Sequence, residues 1–269
     1  MIKPFDEGGK FMDRRMTFNE VPAFYDRYRP RYVPELFDDL LRYAGLGLQS
    51  KALEIGLGTG QATDPLLETG AQVTALEPGS DLAAFARERF AAQDNLAVVE
   101  TDFEGFDPGE GVYDLIYSAT AFHWIRPEAG FPKLRALLKP GAAVALFWNH
   151  PYVNRQDEPA HRAMRQVYAR YSPRPEGELK EFGEADCARY QQLLAQYGFE
   201  DISVTLYRQT RLLSADDYIG LMNTYSDHLS KPQPIRLAME KDMRAAIEGA
   251  GGMLPVYDTM DLYMARAPR

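Results

Sequence analysis

A chain of 269 residues with 45% apolar and 26% charged side chains is large enough for one α/β domain with insertions, or for two small domains, and has an ordinary soluble composition. Its formal net charge of −9 at pH 7 argues against a general nucleic-acid or anionic-membrane binder, because phosphates must be met by clustered Lys and Arg. A single cysteine, Cys187, excludes an internal disulfide and a cysteine-rich metal site.

No apolar run approaches the roughly 20 residues of a bilayer span, and the N-terminal "MIKPFDEGGKFMDRRMTF" has no apolar leader core. A cytoplasmic protein is expected. The first 20 residues are polar and unpatterned, and are expected to be loosely ordered. From Pro34 the spacing of Leu36, Leu40, Leu41 and Ala44 predicts a helix that Gly45 and Gly47 end. Strand-like and helix-like segments then alternate. Strands are expected at Ala52 to Ile55, Gln72 to Glu77, Leu96 to Glu100, Val112 to Ser118 and Ala142 to Trp148. Helices are expected at Gln61 to Glu68, Asp81 to Ala92 and Phe131 to Leu138, the last closed by "KPG". Such alternation implies a parallel sheet covered by helices on both faces.

After Trp148 the rhythm breaks. Charged, Pro-containing sequence surrounds a helix expected at Pro159 to Tyr171, and the α/β rhythm resumes with a helix at Asp186 to Tyr197 and a strand at Asp201 to Thr210. A second interruption, 214–252, carries two helical patterns. Tyr218, Leu221, Met222, Tyr225 and Leu229 share one helical face there. An alternating strand from about Val256 ends the chain.

The chemistry starts at "KALEIGLGTGQAT", residues 51–63, where Gly56, Gly58 and Gly60 follow a predicted strand. A dinucleotide fingerprint needs a small residue at position 61, which is Gln, and a phosphate loop needs Gly-Lys-Ser/Thr, which is absent. Glu77 falls about 20 residues further on at a strand end, where a carboxylate can accept both hydroxyls of a ribose. Asp102, after the third strand, can accept the exocyclic amine of adenine, while the next backbone amide, that of Phe103, donates to a ring nitrogen. Ligands of open parallel sheets bind beyond the carboxyl ends of the strands, so these positions share one crevice.

The pieces "LEIGLGTG", "VTALEPG", "VVETDFEGF", "YDLIYSATAFHWI" and "LLKPGAAVALFWN" cover about residues 50–150. In this order and spacing the chain resembles the class I S-adenosylmethionine-dependent methyltransferases, in flavour those similar to trans-aconitate methyltransferase. "YDRYRPRY", "GFEDISVTLYRQT" and "YDTMDLYMARA" extend the likeness. The resemblance implies a Rossmann-like three-layer α/β sandwich with a mostly parallel seven-stranded sheet and a reversed seventh strand beside the sixth. It implies an N-terminal segment and cap at 1–30, then a methyltransferase domain at 31–269 with helical lids at about 149–185 and 214–252.

The resemblance also assigns roles. Glu54 and the three glycines take the methionine end of S-adenosylmethionine, Glu77 the ribose, Asp102 and Phe103 the adenine, and Ser118 lies near the sulfonium. Arg29 and Arg31 of "YDRYRPRY" are placed to reach the methionine carboxylate or an acidic substrate, since guanidinium pairs bidentately with carboxylate, and Tyr25 and Tyr28 to help close that end of the crevice. His123 is a candidate base, or with Trp124 a wall of the pocket. Trp124, Tyr152 and Tyr225 are candidate pocket residues, and Tyr168, Tyr171 and Phe182 candidate walls. His228 reads as a surface helix residue. His150 and His161 stand too far from other ligand types to suggest a metal. "SATAFHW" is not the Asn/Asp-Pro-Pro-Tyr/Phe pattern that holds a planar nitrogen in some relatives. The expected activity is methyl transfer to a small molecule, with oxygen favoured. A non-catalytic S-adenosylmethionine-binding module and a nicotinamide-dependent oxidoreductase are the alternatives. The acceptor and the oligomeric state are left open.

Overall fold

The computed structural model describes residues 22–173 and 180–269. Residues 1–21, which include the segment expected to be loosely ordered, and 174–179, within the first expected lid, lie outside the described residues. The strands are β1 Lys51–Ile55, β2 Gln72–Leu76, β3 Leu96–Val99, β4 Tyr113–Ala119, β5 Leu138–Tyr152, β6 Glu200–Ser214 and β7 Met253–Arg266. The helices are α1 Pro22–Tyr28, α2 Pro34–Ala44, α3 Asp64–Leu67, α4 Ser80–Arg89, α5 Pro127–Leu137, α6 Pro159–Tyr171, α7 Ala188–Gln196, α8 Ala215–Met222, α9 Ser226–Leu229 and α10 Gln233–Gly249.

All seven strands form one sheet of order β3-β2-β1-β4-β5-β7-β6. β1 pairs in parallel with β2 and β4, β2 with β3, and β4 with β5. Only the last strand is reversed. The chain moves outward from β1 to β3, then returns to place β4 on the other side of β1. In open parallel sheets ligands usually bind beyond the carboxyl ends of the strands at such a reversal, here β1 and β4.

The chain divides into two compact units. The first, residues 31–149, 183–207 and 260–269, is built on strands that read as near-continuous apolar runs, as buried parallel strands must. In β1 every residue after Lys51 is buried. Leu36, Leu40, Ala52, Leu66, Leu115, Tyr117, Phe147, Met260 and Leu262 form its core. α2 starts with Pro34 at its first turn and ends at Gly45, whose φ of 64° suits a left-handed cap and whose amide donates to the Leu41 carbonyl. Gly130 in α5 lets that helix approach closely, since a Cβ there would lie 2.8 Å from Ile125 and 2.9 Å from Phe122.

Several boundaries differ from the sequence reading. The helix expected from Gln61 is only the single turn α3, because Gly58 and Gly60 hold left-handed φ of 58° and 88° and keep the preceding residues in turns. β5 begins at Leu138, four residues early. It pairs Leu138 with Tyr113 but Ala143 with Leu115, so the "KPG" stretch is an irregularity inside the strand and not a helix stop beyond it.

The second unit holds, among the described residues, 22–30, 150–173, 180–182 and 208–259. Ala160, Met164 and Val167 of α6 pack with Tyr218 and Met222 of α8 and with Met239, Met243 and Ile247 of α10. The face drawn through Tyr218 and Leu229 is not one helix. α8 stops at Met222, Thr224 turns its hydroxyl back to the Leu221 carbonyl (2.6 Å), and Tyr225 caps the separate α9.

Candidate active site

In the first unit the glycine loop folds back over β2. The amides of Gly56 and Leu57 both donate to the Leu76 carbonyl at 3.0 Å. Gly56 has φ of 76°, and a Cβ there would collide with Ala121 in the turn after β4. Gly60 would collide in the same way with the Phe90 ring. Gly58 differs: nothing lies nearer to a Cβ position than the Gln61 carboxamide oxygen at 3.9 Å. Its amide donates to Glu77 Oε2 at 2.8 Å, and the Gly79 amide donates to Oε1 at 2.9 Å. Glu77 is only 6% exposed. Burial pushes its carboxyl above the usual range while the two amides oppose the shift. Two backbone donors thus aim this carboxylate, and each oxygen keeps acceptor capacity.

Glu54, next to the last residue of β1, is buried with the Thr63 hydroxyl donating to Oε2 at 2.8 Å and the Tyr117 hydroxyl donating to the same atom at 2.9 Å. Burial pushes its carboxyl up to about 7, against the lowering effect of both hydroxyls. Ser118, fully buried on β4, donates its hydroxyl to the Ile55 carbonyl at 2.8 Å and so ties β4 to the last residue of β1. Asp102 follows β3, with its Oδ1 accepting the Gly105 amide at 2.7 Å. Phe103 beside it is buried, its ring edge-on to Phe122 at 6.4 Å and beneath the Lys133 ammonium at 5.2 Å.

Phe122–Trp124 is a single 3-10 turn after β4. It packs through Phe122 onto Phe131 (5.3 Å between centroids) and presents His123 and Trp124, whose rings are 5.0 Å apart. Trp148 of β5 donates its indole Nε1–H to His123 Nδ1 at 3.0 Å. Thr120, next to this turn, has φ of 52°, a strained conformation for a β-branched residue. Its hydroxyl bonds the Tyr32 hydroxyl at 2.6 Å.

The first unit thus gathers Glu54, the glycines, Glu77 and Ser118 at the carboxyl ends of β1, β2 and β4, with Asp102 and His123 in the turns after β3 and β4. Thr63, Tyr117, Trp148 and Thr120 are missing from the sequence reading. Only Tyr117 and Trp148 had a usable signal, as polar-tipped aromatics inside apolar strands.

The second unit gathers a different set. The Arg29 guanidinium lies 4.8 Å from the Tyr25 ring and 4.3 Å from the Tyr225 ring, and donates to the Thr224 carbonyl at 2.6 Å. Arg211 forms a bidentate pair with the buried Asp258, at 2.5 and 3.0 Å. The Tyr152 hydroxyl donates to the Asn154 carbonyl at 3.3 Å. The Tyr168 hydroxyl bonds that of Tyr218, and the Tyr171 hydroxyl donates to Asp242. Phe182 stacks on His150 at 3.7 Å.

His228 is buried, not a surface residue. Glu240 of α10 lies 3.1 Å from its Nε2, and burial lowers its proton affinity against the raising effect of that carboxylate. His161 accepts the Arg155 amide at Nδ1 (2.9 Å), so its Nε2 carries the proton that reaches the Pro255 carbonyl (2.6 Å). Among the described residues no three His, Cys, Asp or Glu are placed to hold a metal, and no helix is long and apolar enough to cross a membrane.

Residues 53–144, the segment that carries this network, match the family model of the methyltransferase domain. This segment is similar to the methyltransferase domains of that family. An uncharacterized methyltransferase of Mycobacterium tuberculosis is 31% identical over 137 residues, 51% of this chain and 54% of that protein. The chain thus spans about half the length of the curated relatives it matches first. Among solved structures, a candidate type II methyltransferase from Anaeromyxobacter dehalogenans shares the fold at TM-score 0.62 and 20% identity. That match covers 90% of this chain and 100% of the other. A phosphoethanolamine N-methyltransferase from Haemonchus contortus, solved with S-adenosyl-L-methionine, shares the fold at TM-score 0.57 and 16% identity. It covers 98% of this chain and 62% of the other.

Proposed function

We propose that the protein transfers a methyl group from S-adenosylmethionine to a small-molecule acceptor, with oxygen the favoured atom. The observation that carries this reading is Glu77, buried and aimed by the amides of Gly58 and Gly79 beside the one loop glycine with open space around it. A carboxylate so fixed suits a ribose diol. The cofactor would be held by Glu77 at its ribose, by Asp102 and the Phe103 amide at its adenine, and by the loop glycines and Glu54 at its methionine end. When bound, it supplies an electrophilic methyl on a sulfonium.

The chain's own work is then to align the acceptor in line with that methyl and to exclude water. Glu54 acts on the loop from beneath: its bonds to Thr63 and Tyr117 pin α3 and β4 to β1. Ser118, its hydroxyl engaged by the Ile55 carbonyl, holds the two strand ends together close to where the sulfonium is expected. The absence of an Asn/Asp-Pro-Pro-Tyr/Phe stretch after β4 supports oxygen over a planar nitrogen.

The reading is tested by calorimetric titration with S-adenosylmethionine, its demethylated product and NAD in parallel. Binding of the first two alone is the expected result. Binding of NAD with no response to the others overturns it. Asp102→Ala should weaken S-adenosylmethionine about tenfold or more, the effect of one lost charge-assisted hydrogen bond. Unchanged affinity removes Asp102 from the adenine site.

A further inference from the structure

We infer that Trp148 is a positioning residue that fixes His123 with its proton on Nε2, so that this nitrogen does not serve methyl transfer as a base. The inference rests on the methyltransferase reading above but stands on its own geometry. An indole N–H can only donate, so the 3.0 Å bond from Trp148 Nε1 requires a lone pair on His123 Nδ1. The neutral ring must then carry its proton on Nε2, and Nε2 is a donor. To act as a base the ring would have to take a proton at Nδ1. That breaks the indole bond and turns two donors toward each other.

The indole is not free to yield. Trp148 is 6% exposed, and its amide donates to Oδ1 of the buried Asp261 on β7 at 3.1 Å. One face of the indole lies on Tyr190 of α7 at 4.3 Å and 28°, and its edge meets Tyr263 of β7 at 5.8 Å and 74°. Two elements, α7 and β7, therefore hold the donor. On the histidine side, the 3-10 turn is closed by the Trp124 amide to the Ala121 carbonyl (3.0 Å), and its buried Phe122 is wedged between Phe103 and Phe131. Neither partner can swing away without unpacking the core beneath the turn.

The test is a long-range nitrogen–proton NMR spectrum of the imidazoles in the uniformly 15N-labelled protein. The chain has four histidines, and His123→Gln identifies the His123 signals by deleting them. The expected wild-type pattern is a protonated Nε2 and a pyridine-like Nδ1. In Trp148→Phe, which keeps the ring stack but removes the donor, the two nitrogens should move toward averaged tautomers. A protonated Nδ1 in the wild type overturns the inference, as does a fixed Nε2–H pattern that survives Trp148→Phe. If Trp148→Phe does not fold, the wild-type pattern alone decides. Titration of the wild type with S-adenosylmethionine separates the two claims, since failure to bind defeats the functional reading while the tautomer result stands on its own.

Discussion

At the scale of single residues, Glu54 shows how a site chosen for geometry alters stability. Its carboxyl is raised from an ordinary 4.5 to about 7 by burial. A group whose folded affinity for protons is raised contributes its full stability below the unfolded value and loses it as pH climbs through the folded one. For Glu54 that window runs from about pH 4.5 to about pH 7, and the loss is on the order of 3 kcal/mol. Glu54→Gln can accept both hydroxyls without ionising. Denaturant unfolding of both chains at pH 5 and pH 8 should show the wild type losing stability relative to the variant by roughly that amount. A difference that does not change with pH would mean that Glu54 is not desolvated.

The glycines make a second residue-scale contrast. Gly56→Ala meets both a left-handed φ and a collision with Ala121, whereas Gly58→Ala meets the φ alone. We expect about 1 kcal/mol for Gly58→Ala and about 3 kcal/mol or more for Gly56→Ala, read from denaturant midpoints. Equal costs would mean that the loop gives way freely. Three glycines after a strand were plain in the sequence, but which one faces open space was not. That depends on Ala121 and Phe90, placed there by other strands and helices.

Between elements, the same argument reaches Gly220 in α8, where a Cβ would collide with the Tyr28 ring of α1. Within α1 none of the seven residues is buried, so its position in the second unit depends on a few contacts, this one among them. Gly220→Ala should raise amide hydrogen exchange across residues 22–30 several-fold while leaving β1 and β2 protected. Unchanged exchange at 22–30 would show that Tyr28 does not anchor α1. Long periodic runs such as Pro34–Ala44 were legible because one buried face writes itself into the spacing. The break between α8 and α9 was not, because a side-chain bond from Thr224 to the Leu221 carbonyl interrupts a face that still looks continuous in one dimension.

For the molecule as a whole, the functional reading predicts a ligand-dependent stability. A ligand that binds only the folded chain adds about 2.7 kcal/mol at a hundred times its Kd. Saturating S-adenosylmethionine should therefore raise the Tm by several degrees, and NAD at the same concentration should not. An equal rise with both would point away from an S-adenosylmethionine site.

The sequence by itself determined the α/β class, the seven strands and the glycine loop that follows β1. Each is encoded locally, in apolar runs, turn residues and glycines that need no distant partner. Tertiary structure alone decided the hydrogen bonds that give those residues their character: Tyr117 on Glu54, 63 residues apart, Trp148 on His123, 25 apart, and Asp261 on Trp148, 113 apart. It also buried His228, which follows the polar Ser226 and Asp227 in sequence. Such bonds depend on which strands the sheet sets side by side, and that order follows from the packing of the whole chain, not from the spacing of residues along it.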